Sequence, residues 1–586
     1  MTENPKLHNI RHTLAHLLAT VVLEKDPGAK LGIGPVIDNG FYYDFEFSKG
    51  YTPTPDDLKD FQKGIKKLIG KKLAMEGREV SLEEARDTFK DQPYKTELLN
   101  EFGAEGKNLT LYTLGTFTDL CKGGHVDTTA DIDVGAFKIT HTAGAYWRGD
   151  EKNPMLTRIY GLAFETEADL DAYQKQQEEA KKRDHRILGA QMKLFTISPL
   201  VGSGLPLIQP RGMVIRQEIE GYLWNLHKNK GYSHVWTPHL TKKDLYEKSG
   251  HMAQYGDNLF HVKGATSNED FCVKPMNCPH HMQLFADNQF SYRDMPVRYF
   301  EPATVYRDEK SGQLGGLTRV RSITQDDGHL FCRMDQLEAE IGTIVSVIKE
   351  FYTTMNMIDG YWVSLSVKDA NSKNWLGSDK VWGIAEKALE DAAKKNSLNY
   401  KRIEGEAAFY GPKLDFMFKD AIGREWQLAT IQCDFNLPER FDLSFTNNKG
   451  EKERPVVIHR AISGSLERFM GVMIEHFAGN FPLWLAPTQV VVLPVSEAHS
   501  EYAEKVRAEL VELGVRVELD SSNDSLGKRI RGAKTQKTPY ILVLGDKEVA
   551  DGTVTAERRG TEKGEVHPLA EFIASVKTDI QTKAIW

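Results

Sequence analysis

A strand, a glycine-rich loop and a second strand constrain this chain more than any other segment. Residues 299–306 form an apolar strand pattern that delivers Arg307 and Glu309 at its end, and a loop with three glycines follows. Residues 318–329 return as a second strand with two more arginines and a polar cluster. Arginine is permanently charged and binds phosphate or carboxylate oxygens in pairs. Two such facing strands can hold a nucleoside triphosphate and an acid together, although a hairpin with surface salt bridges is the simpler alternative.

Length and composition indicate an ordinary globular chain of several domains. The 586 residues, 40% of them hydrophobic and 27% charged, suggest about three to four domains. No apolar run approaches the ~18 residues of a membrane span, and His12 and His16 interrupt the place where a secretory signal would be apolar. The five cysteines are scattered, which disfavours a disulfide framework. We therefore expect a reduced, cytoplasmic protein without a membrane segment.

The net charge of −8 argues against a nonspecific nucleic-acid binder. It does not exclude a specific one, because phosphate binding requires a local basic face and not a positive total charge. Residues 181–186 and 528–537 are two such basic runs. Each of them, taken alone, is more often a solvated helix face.

Composition changes divide the chain into four segments. Residues 1–164 mix short strands and helices with glycine turns, and residues 165–188 are rich in Glu, Lys, Gln and Ala, which predicts a long connector helix. Residues 189–485 alternate strands and helices and end near Phe481–Pro487, a run with two prolines that predicts a linker. Residues 486–586 alternate cleanly and predict a small α/β domain with a mainly parallel sheet.

Several motifs resemble those of class II aminoacyl-tRNA synthetases. The strand–Arg–x–Glu–loop–strand is similar to motif 2 of that class. Three further runs, Lys274–Pro279, Thr324–His329 and Ile458–Phe469, resemble signatures of the threonyl-tRNA synthetase family. Residues 212–238 are similar to motif 1, which builds the dimer interface in this class, although a helix followed by a strand is usually just core. The resemblance covers nearly the whole chain, and its motifs follow the order expected of the family.

The resemblance implies a multidomain protein of α/β and α+β segments and a defined activity. That activity is the ATP-dependent attachment of threonine to its tRNA through a threonyl-adenylate, with Mg²⁺, and the hydrolytic editing of mischarged seryl-tRNA. A homodimer without membrane association is implied. The implied domains are an N-terminal α+β editing domain (1–164), a connector helix (165–188), a class II antiparallel-sheet catalytic domain (189–485) and an α/β anticodon-binding domain (486–586).

Cys278, His329 and His459 are candidate metal ligands. They lie far apart in the chain, so their spacing alone does not indicate a metal, and a buried thiol with core histidines is the default interpretation. Each matches a zinc ligand of the family, and the resemblance implies one Zn²⁺ per subunit. Three protein ligands leave positions open for the amino and hydroxyl groups of the substrate. Such recognition is needed because an apolar pocket separates threonine poorly from the isosteric valine.

The resemblance also assigns roles around the reacting groups. Arg307 matches the arginine that holds the α-phosphate and the amino-acid carboxylate, and Arg468 matches the motif 3 arginine on the γ-phosphate. His251 matches a residue that acts as a base in acyl transfer to tRNA. A catalytic role is also implied for Lys413. Contacts with the nucleotide are implied for Glu309, Arg319, Gln427 and Ser465. Contacts with threonine are implied for Gln325, Asp327, Tyr410 and Gln432.

Two histidines one helical turn apart suggest a second site. His12 and His16 share one helical face, and Cys121 and His125 supply another thiol and imidazole. From the residues alone, a metallohydrolase zinc centre and a structural polar cluster are both open. The four match the family's editing site, which implies metal-free hydrolysis of seryl-tRNA. Serine differs from threonine by one methyl group, which gives roughly 1–3 kcal/mol of discrimination in binding. This is too little for accurate charging, so a second site that hydrolyses the wrong product is required. Two more residues match editing positions: Lys95 and Asp119.

The C-terminal segment is similar to the anticodon-binding domain of the class. Asn523 and Glu548 match anticodon-contacting positions, and Arg558 is the nearest candidate for an arginine that reads a base. The chain begins almost at His12, so we expect a form without the small ubiquitin-like domain of many family members.

His280 departs from the family pattern, which usually has glycine at this position. It lies two residues after Cys278, where an imidazole could alter the local backbone or compete for the metal.

Other interpretations of the chain remain. A class II ligase for serine or proline is disfavoured by the three-ligand zinc set. A non-catalytic RNA-binding paralogue that regulates translation should have lost Arg307, Arg468 or the zinc ligands. A metallohydrolase that uses only the N-terminal site leaves the synthetase motifs without a purpose.

Overall fold

The computed structural model divides the chain into two units, Met1–Glu178 and Glu179–Trp586. It describes residues 4–104, 108–266, 268–369 and 375–586. None of the helices in these ranges has the length and apolar content needed to cross a lipid bilayer.

In its described residues, the first unit contains four complete α-helices and two antiparallel sheets. Its helices are α1 (Pro5–Lys25), α2 (Pro55–Gly70), α3 (Leu82–Thr88) and α4 (Pro93–Ala104). Its strands are β1 (Lys30–Leu31), β2 (Val36–Ile37), β3 (Gly40–Glu46), β4 (Met75–Val80), β5 (Leu109–Leu114), β6 (Phe117–Leu120), β7 (Phe137–Tyr146) and β8 (Met155–Ala163). The larger sheet has the order β1–β3–β8–β7 with β2 on β3, and the smaller one β4–β5–β6. Leu14 and Leu17 of α1 share a buried core with Phe41 and Phe45 of β3, so packing fixes the helix that carries His12 and His16.

The second unit contains the remaining elements. A long polar helix, α5 (Glu167–Arg183), leads into it. The helices that follow are α6 (His185–Gln191), α7 (Pro210–Lys228), α8 (Lys243–Ser249), α9 (His251–Tyr255), α10 (Cys278–Ala286), α11 (Leu337–Thr354), α12 (Asp379–Lys395), α13 (Asn436–Arg440), α14 (Leu466–His476), α15 (Ser500–Glu512), α16 (Leu526–Thr535), α17 (Asp546–Asp551) and α18 (Leu569–Thr582). The strands are β9 (Phe195–Thr196), β10 (Leu207–Ile208), β11 (Ser233–His234), β12 (Leu240–Lys242), β13 (His261–Lys263), β14 (Asp270–Val273), β15 (Val297–Tyr306), β16 (Ser322–Cys332), β17 (Trp362–Val367), β18 (Tyr400–Glu404), β19 (Lys413–Lys419), β20 (Glu425–Asp434), β21 (Phe445–Thr446), β22 (Lys452–Glu453), β23 (Val456–Ala461), β24 (Val490–Pro494), β25 (Val517–Leu519), β26 (Tyr540–Leu544), β27 (Thr553–Arg558) and β28 (Glu565–Pro568).

A sheet of eight strands forms the centre of the second unit. Its order is β11–β15–β16–β23–β20–β19–β17–β18. The outermost pairings are parallel and the inner ones antiparallel, as the sequence predicts for a class II core. The register places His329 opposite His459, and His459 opposite Gln432. Three distant chain segments therefore meet on adjacent strands.

Two predicted connections differ from the structure. The connector helix is broken, because Asp184 ends α5 and caps α6 by accepting from the Arg186 amide at 2.8 Å. The predicted linker Phe481–Pro487 is buried, with Trp484 only 3% exposed and its carbonyl bound by Arg516 at 2.6 Å. The two prolines suggest an exposed linker, but the apolar residues between them are buried in the core.

The C-terminal sheet has the order β25–β24–β26–β27–β28. Its first two pairings are parallel and its last two antiparallel, so the prediction of a mainly parallel sheet was only half right. The short helix α17 and the turn at Gly552, with φ of 66°, lead straight into β27. A parallel return needs a crossover of a dozen or more residues, which this connection is too short to supply.

Candidate active site and editing centre

An arginine-lined cavity lies on the central sheet where β15 and β16 meet the turn before α14. Its volume is about 510 Å³. The excess of guanidinium groups suits a polyanion such as a triphosphate. Eight residues that the sequence predicts around the nucleotide or threonine line it: Arg307, Glu309, Arg319, Gln325, Gln427, Gln432, Ser465 and Arg468.

The hairpin loop is held together by its own charged groups. The Arg307 amide donates to the Arg321 carbonyl at 3.0 Å. The Arg319 guanidinium binds the Glu309 carboxylate at 2.7 and 3.0 Å, and the Arg321 guanidinium donates to the Glu309 carbonyl at 2.8 Å. These contacts fix the backbone at the end of β15, where Arg307 enters the cavity.

Arg468 reaches the same cavity from α14. Burial, together with the neighbouring Arg319 charge, lowers the pKa of Arg468. Its Nε is buried without a hydrogen-bond partner among the described residues. A cationic group in this setting favours an anionic ligand strongly.

The buried Asp326 carboxylate organises the turn before α14. It accepts hydrogen bonds from the Ile462 amide at 2.8 Å, the Ser463 amide at 3.0 Å and hydroxyl at 2.9 Å, and the Gly464 amide at 2.9 Å. Gly464 has φ of 76°, and a Cβ there would lie 2.7 Å from the Leu428 carbonyl oxygen, so this position requires glycine. The turn is therefore fixed by contacts on the far side from the cavity.

Arg216 of α7 ties the three motifs together. Its guanidinium donates to Glu467 at 3.2 Å and to the Thr324 hydroxyl at 3.0 Å. The other Glu467 oxygen accepts from the Thr324 amide at 2.7 Å. The sequence analysis missed Arg216, Glu467 and Asp326. Strand alternation could have indicated Asp326, because its neighbours Gln325 and Asp327 were assigned to the substrate side.

The three predicted metal ligands come together in the fold. The ligand atoms of Cys278, His329 and His459 all lie within 4.8 Å of one another, and the three residues are buried. His329 Nε2 lies 2.8 Å from His459 Nδ1. Cys278 opens α10, whereas the two histidines face each other across β16 and β23.

A second layer of side chains orients both imidazoles. His281 bridges His329 Nδ1 at 2.8 Å and Glu301 at 2.9 Å, and Asp434 binds His459 Nε2 at 2.9 Å. One nitrogen of each ligand histidine is thereby held by a neighbouring side chain. The other two, His329 Nε2 and His459 Nδ1, face each other at 2.8 Å beside Cys278, and a bound metal would take the place of this contact. Burial lowers the pKa of His329 well below its usual value, which keeps its lone pair available. This donor set fits a zinc ion.

The predicted threonine-binding residues adjoin this centre. Asp327 accepts from Asn277 Nδ2 at 3.0 Å. Tyr410 donates to the side-chain oxygen of Gln432, and its ring stacks on His459 with centroids 4.9 Å apart. Because Gln432 also lines the arginine cavity, the cavity and the metal-type centre adjoin each other through Gln432 and Tyr410.

His251 and Lys413 lie close to the same region. His251 is buried, with Nδ1 2.8 Å from the Ser249 hydroxyl and its ring edge-on to Phe409 at 5.3 Å. Burial lowers the pKa of His251 to about 3, so its imidazole is neutral at pH 7. Lys413 forms an ion pair with Asp415 at 2.7 Å.

His280 is buried beside the Tyr246 ring, with centroids 6.2 Å apart. Burial lowers the pKa of His280 to about 4, and both ring nitrogens have no hydrogen-bond partner among the described residues. It does not belong to the cluster of possible ligand atoms, so the structure does not bring this imidazole into the metal-type centre.

The first unit gathers a separate cluster around a cavity of about 440 Å³. Cys121 Sγ lies 3.3 Å from His12 Nε2 and 3.2 Å from His125 Nε2. Together with His16, these ligand-type atoms lie within 4.8 Å of one another, so the geometry alone also allows a metal. All four residues are those that the sequence predicts for editing.

A buried carboxylate connects this cluster to the predicted lysine. Asp119 accepts from the Lys95 ammonium and from the Tyr43 hydroxyl, both at 2.5 Å, and lies 4.0 Å from His16 Nε2. Tyr43 of β3 is thus a direct partner of the Asp119 carboxylate.

Protonation in the cluster is set by burial. Burial lowers the pKa of His125 to about 2, lowers the pKa of His16 well below its usual value, and raises the pKa of the Cys121 thiol to about 11. The imidazoles are therefore neutral at pH 7, whereas Cys121 is a thiol and not a nucleophilic thiolate.

The three predicted anticodon residues do not come together. Asn523 follows β25 and Glu548 follows β26, at the carboxyl ends of two strands that run parallel. Arg558 pairs with Tyr540 at the opposite end of β26, and its guanidinium lies over the Trp586 ring at 5.1 Å. The structure thus separates Arg558 from the other two, because β27 runs antiparallel and ends far from the edge where it starts.

Family models match three parts of the chain. Residues 260–477 match the class II core domain of tRNA synthetases (G, H, P, S and T), and residues 489–579 match an anticodon-binding domain. Residues 109–160 match the threonyl and alanyl tRNA synthetase second additional domain. With the antiparallel sheet and the arginine cavity, these matches define the class: a class II aminoacyl-tRNA synthetase.

Comparison with known proteins narrows the class to a family. The chain is 46% identical to a threonine–tRNA ligase of Rubrobacter xylanophilus, covering 98% of this chain and 89% of that protein. It is 47% identical to one of Gloeobacter violaceus, covering 97% and 92%. The solved RNA-binding domain of threonyl-tRNA synthetase from Cryptosporidium parvum is 36% identical with a TM-score of 0.64, covering 67% of this chain and 98% of that one. The chain belongs to the threonine–tRNA ligase family.

Proposed function

We propose that this protein attaches threonine to its tRNA with ATP through a threonyl-adenylate and hydrolyses mischarged seryl-tRNA. The single observation that carries the proposal is the contact between Gln432, which lines the arginine cavity, and Tyr410, which stacks on His459 of the thiol–imidazole centre. We assign residues 1–164 to editing, 165–188 to the connector, 189–485 to catalysis and 486–586 to anticodon binding.

Different residues of the cavity bind different parts of the ATP molecule. Arg307 holds the α-phosphate and the threonine carboxylate, Arg468 the γ-phosphate, and Arg319 and Glu309 the nucleoside end. Gln427 and Ser465 complete the nucleotide contacts. Mg²⁺, carried by the ATP, neutralises phosphate charge when bound. The arginines are preorganised by the hairpin and the turn before α14, so they need little rearrangement as charge develops.

Threonine selection falls to residues at the buried end of the site. Cys278, His329 and His459 would hold Zn²⁺, which supplies when bound a Lewis-acid position for the amine and hydroxyl of the substrate. Asp327 accepts a hydrogen bond from the threonine hydroxyl, Tyr410 faces its amino group, and Gln325 and Gln432 orient it. Valine lacks the hydroxyl and would leave these buried polar groups without a hydrogen-bond partner. A site built to bind a hydroxyl rejects a substrate without one more strongly than an apolar pocket rejects a substrate that differs by one methyl group.

Two bond exchanges complete the ligation. A carboxylate oxygen of threonine attacks the α-phosphorus in line, the bond to the bridging oxygen breaks, and pyrophosphate leaves. A terminal hydroxyl of tRNA then attacks the carbonyl carbon, and AMP leaves. We assign His251 as the side chain that accepts the hydroxyl proton. Lys413, held by Asp415 at 2.7 Å, adds positive charge beside the reacting groups.

The first unit supplies hydrolysis. The neutral His12, His16 and His125 imidazoles can take a proton from an attacking water. Lys95, fixed by Asp119, offers a positive charge to the ester carbonyl as negative charge builds up on its oxygen. The donors already present allow this chemistry without a metal.

Partners and location follow from the same family membership. We propose anticodon contacts at Asn523, Glu548 and Arg558. A homodimer is supported by apolar side chains exposed around motif 1, including Leu200 at 99%, Trp236 at 73% and Leu240 at 51%. A solution mass near twice 66.2 kDa tests the dimer.

The five cysteines are free, which favours a cytoplasmic protein. Imaging of a tagged chain tests that location.

Removal of zinc ligands is expected to abolish metal binding. Purified protein should contain one zinc per chain, and Cys278→Ser or His459→Ala should lower the content at least about fivefold because a three-ligand site tolerates no loss. Cys272→Ser, which alters a buried cysteine outside the cluster, is the matched control. Unchanged zinc content in both ligand variants would remove these residues from the metal site.

Charging of tRNA tests the proposed function directly. Purified protein, ATP, Mg²⁺ and labelled threonine should convert a tRNA pool to threonyl-tRNA, and omission of ATP should prevent it. Charging with serine or proline in preference to threonine would assign the protein to a different ligase.

A further inference from the structure

A third cluster of ligand-type side chains has no role in the proposed function. Asp184, His185 and Glu475 lie together where α5 gives way to α6. A metal site is a poor explanation, because both nitrogens of His185 are already engaged. His185 Nδ1 lies 2.6 Å from Glu475 Oε1, and His185 Nε2 lies 3.0 Å from the Leu317 amide nitrogen.

These contacts define the tautomer of His185. The Leu317 amide can only donate, so Nε2 accepts and Nδ1 carries the hydrogen that is donated to Glu475. Glu475 also accepts from the His185 amide at 3.1 Å and from the Arg424 guanidinium at 2.5 Å. The ring is therefore held at both ends, with one end on the helix α14 and the other on the motif 2 loop.

The loop lies directly on the ring. A Cβ at Gly316 would be 2.2 Å from His185 Nε2, and Gly316 has φ of 61°. Leu317 is fully buried. The two residues after it, Thr318 and Arg319, line the arginine cavity. The turn that carries these two side chains is closed by hydrogen bonds from the Thr318 amide to the Gly315 carbonyl at 3.0 Å and from the Gly315 amide to the Arg319 carbonyl at 3.1 Å. The bond from Leu317 to His185 joins this turn to α6 and, through Glu475, to α14.

We propose that His185 is a positioning residue for adenylate formation. It holds the Leu317 amide and so fixes the segment that carries Thr318 and Arg319 to the ribonucleoside triphosphate. The proposal rests on the proposed function, since it assigns ATP to that cavity. It places a determinant of ATP binding at the end of the connector, outside the three sequence motifs.

Two substitutions separate the two contacts of the ring. Asparagine places its amide near the Nδ1 position, so His185→Asn keeps a donor for Glu475 and leaves the buried Leu317 amide without an acceptor. Glutamine reaches the Nε2 position, so His185→Gln keeps the acceptor for Leu317 and gives up the Glu475 contact. Lys182→Ala, an exposed change one turn earlier on α5, is the control.

Threonine-dependent ATP–pyrophosphate exchange is the assay. For His185→Asn we expect KM for ATP to rise about tenfold with KM for threonine near the parent value, whereas His185→Gln should stay within about threefold of the parent. A general structural role predicts instead a fall in kcat with both KM values unchanged, or a glutamine variant as impaired as asparagine. Either result would overturn the proposal. Absence of exchange in the parent would instead overturn the proposed function.

A second variant covers the case in which His185→Asn fails to fold. Gly316→Ala pushes a methyl against the same ring nitrogen and should lift the loop from it. The same selective rise in KM for ATP is expected. An unchanged KM for ATP in a folded Gly316→Ala protein would contradict the role of this contact.

Discussion

Arg307→Ala is expected to lower threonine-dependent ATP–pyrophosphate exchange by about a thousandfold or more. Arg307 stands at the end of β15 in the cavity, where the proposed function gives it both reacting groups, the α-phosphate and the carboxylate. The interaction strengthens as charge develops in the transition state, so kcat should fall together with kcat/KM. The measurement is steady-state exchange on protein whose thermal unfolding matches the parent.

Arg293→Ala provides the matched control for Arg307→Ala. Arg293 is an exposed arginine shortly before the same strand and lies outside the cavity, so exchange should be unchanged. Near-parental exchange by a well-folded Arg307→Ala protein would remove Arg307 from the active site.

Changing His12 and His16 to alanine together should abolish editing and leave ligation intact. We expect deacylation of preformed seryl-tRNA to fall about a hundredfold or more, because proton transfer by positioned side chains contributes that much. Threonine activation should be preserved, since both histidines belong to the first unit and the arginine cavity to the second. Serine should still be activated, and seryl-tRNA should then accumulate.

The exposed His141 of the first unit gives the control for this double variant, and His141→Ala should deacylate seryl-tRNA normally. Equal hydrolysis by the parent and the double variant would show that these histidines are not the editing site. Loss of parental hydrolysis after treatment with a chelator would favour a metal in the cluster and contradict metal-free editing.

The parts of the site that the sequence predicted are those carried by local motifs. Arg307 and Glu309 follow a strand pattern into a glycine loop, and His12 and His16 share a helical face, so their placement depends on spacing alone. Cys278, His329 and His459 gave no local signal of a metal and were assigned through family resemblance. The sheet register then brings the two histidines together.

The parts that were missed depend on contacts between distant segments. Asp326 acts on a turn at residues 462–464, and Glu467 joins Arg216 to Thr324. Strand alternation could place Asp326 on the face opposite Gln325 and Asp327, but the local sequence does not indicate which distant turn Asp326 binds or that Glu467 is the partner of Arg216. Arg558 was assigned by order along the chain, and that order does not reveal that the antiparallel direction of β27 takes it to the opposite end of β26 from Glu548.

In the proposed function, one site joins an ATP cavity to a centre that selects a hydroxyl-bearing amino acid. ATP–pyrophosphate exchange by the purified protein, measured separately with each amino acid, tests it most directly. Threonine should give the highest kcat/KM, serine a lower but measurable value, and valine a value at least about a hundredfold below threonine. Exchange that is fastest with another amino acid, or equal for threonine and valine, would contradict the account.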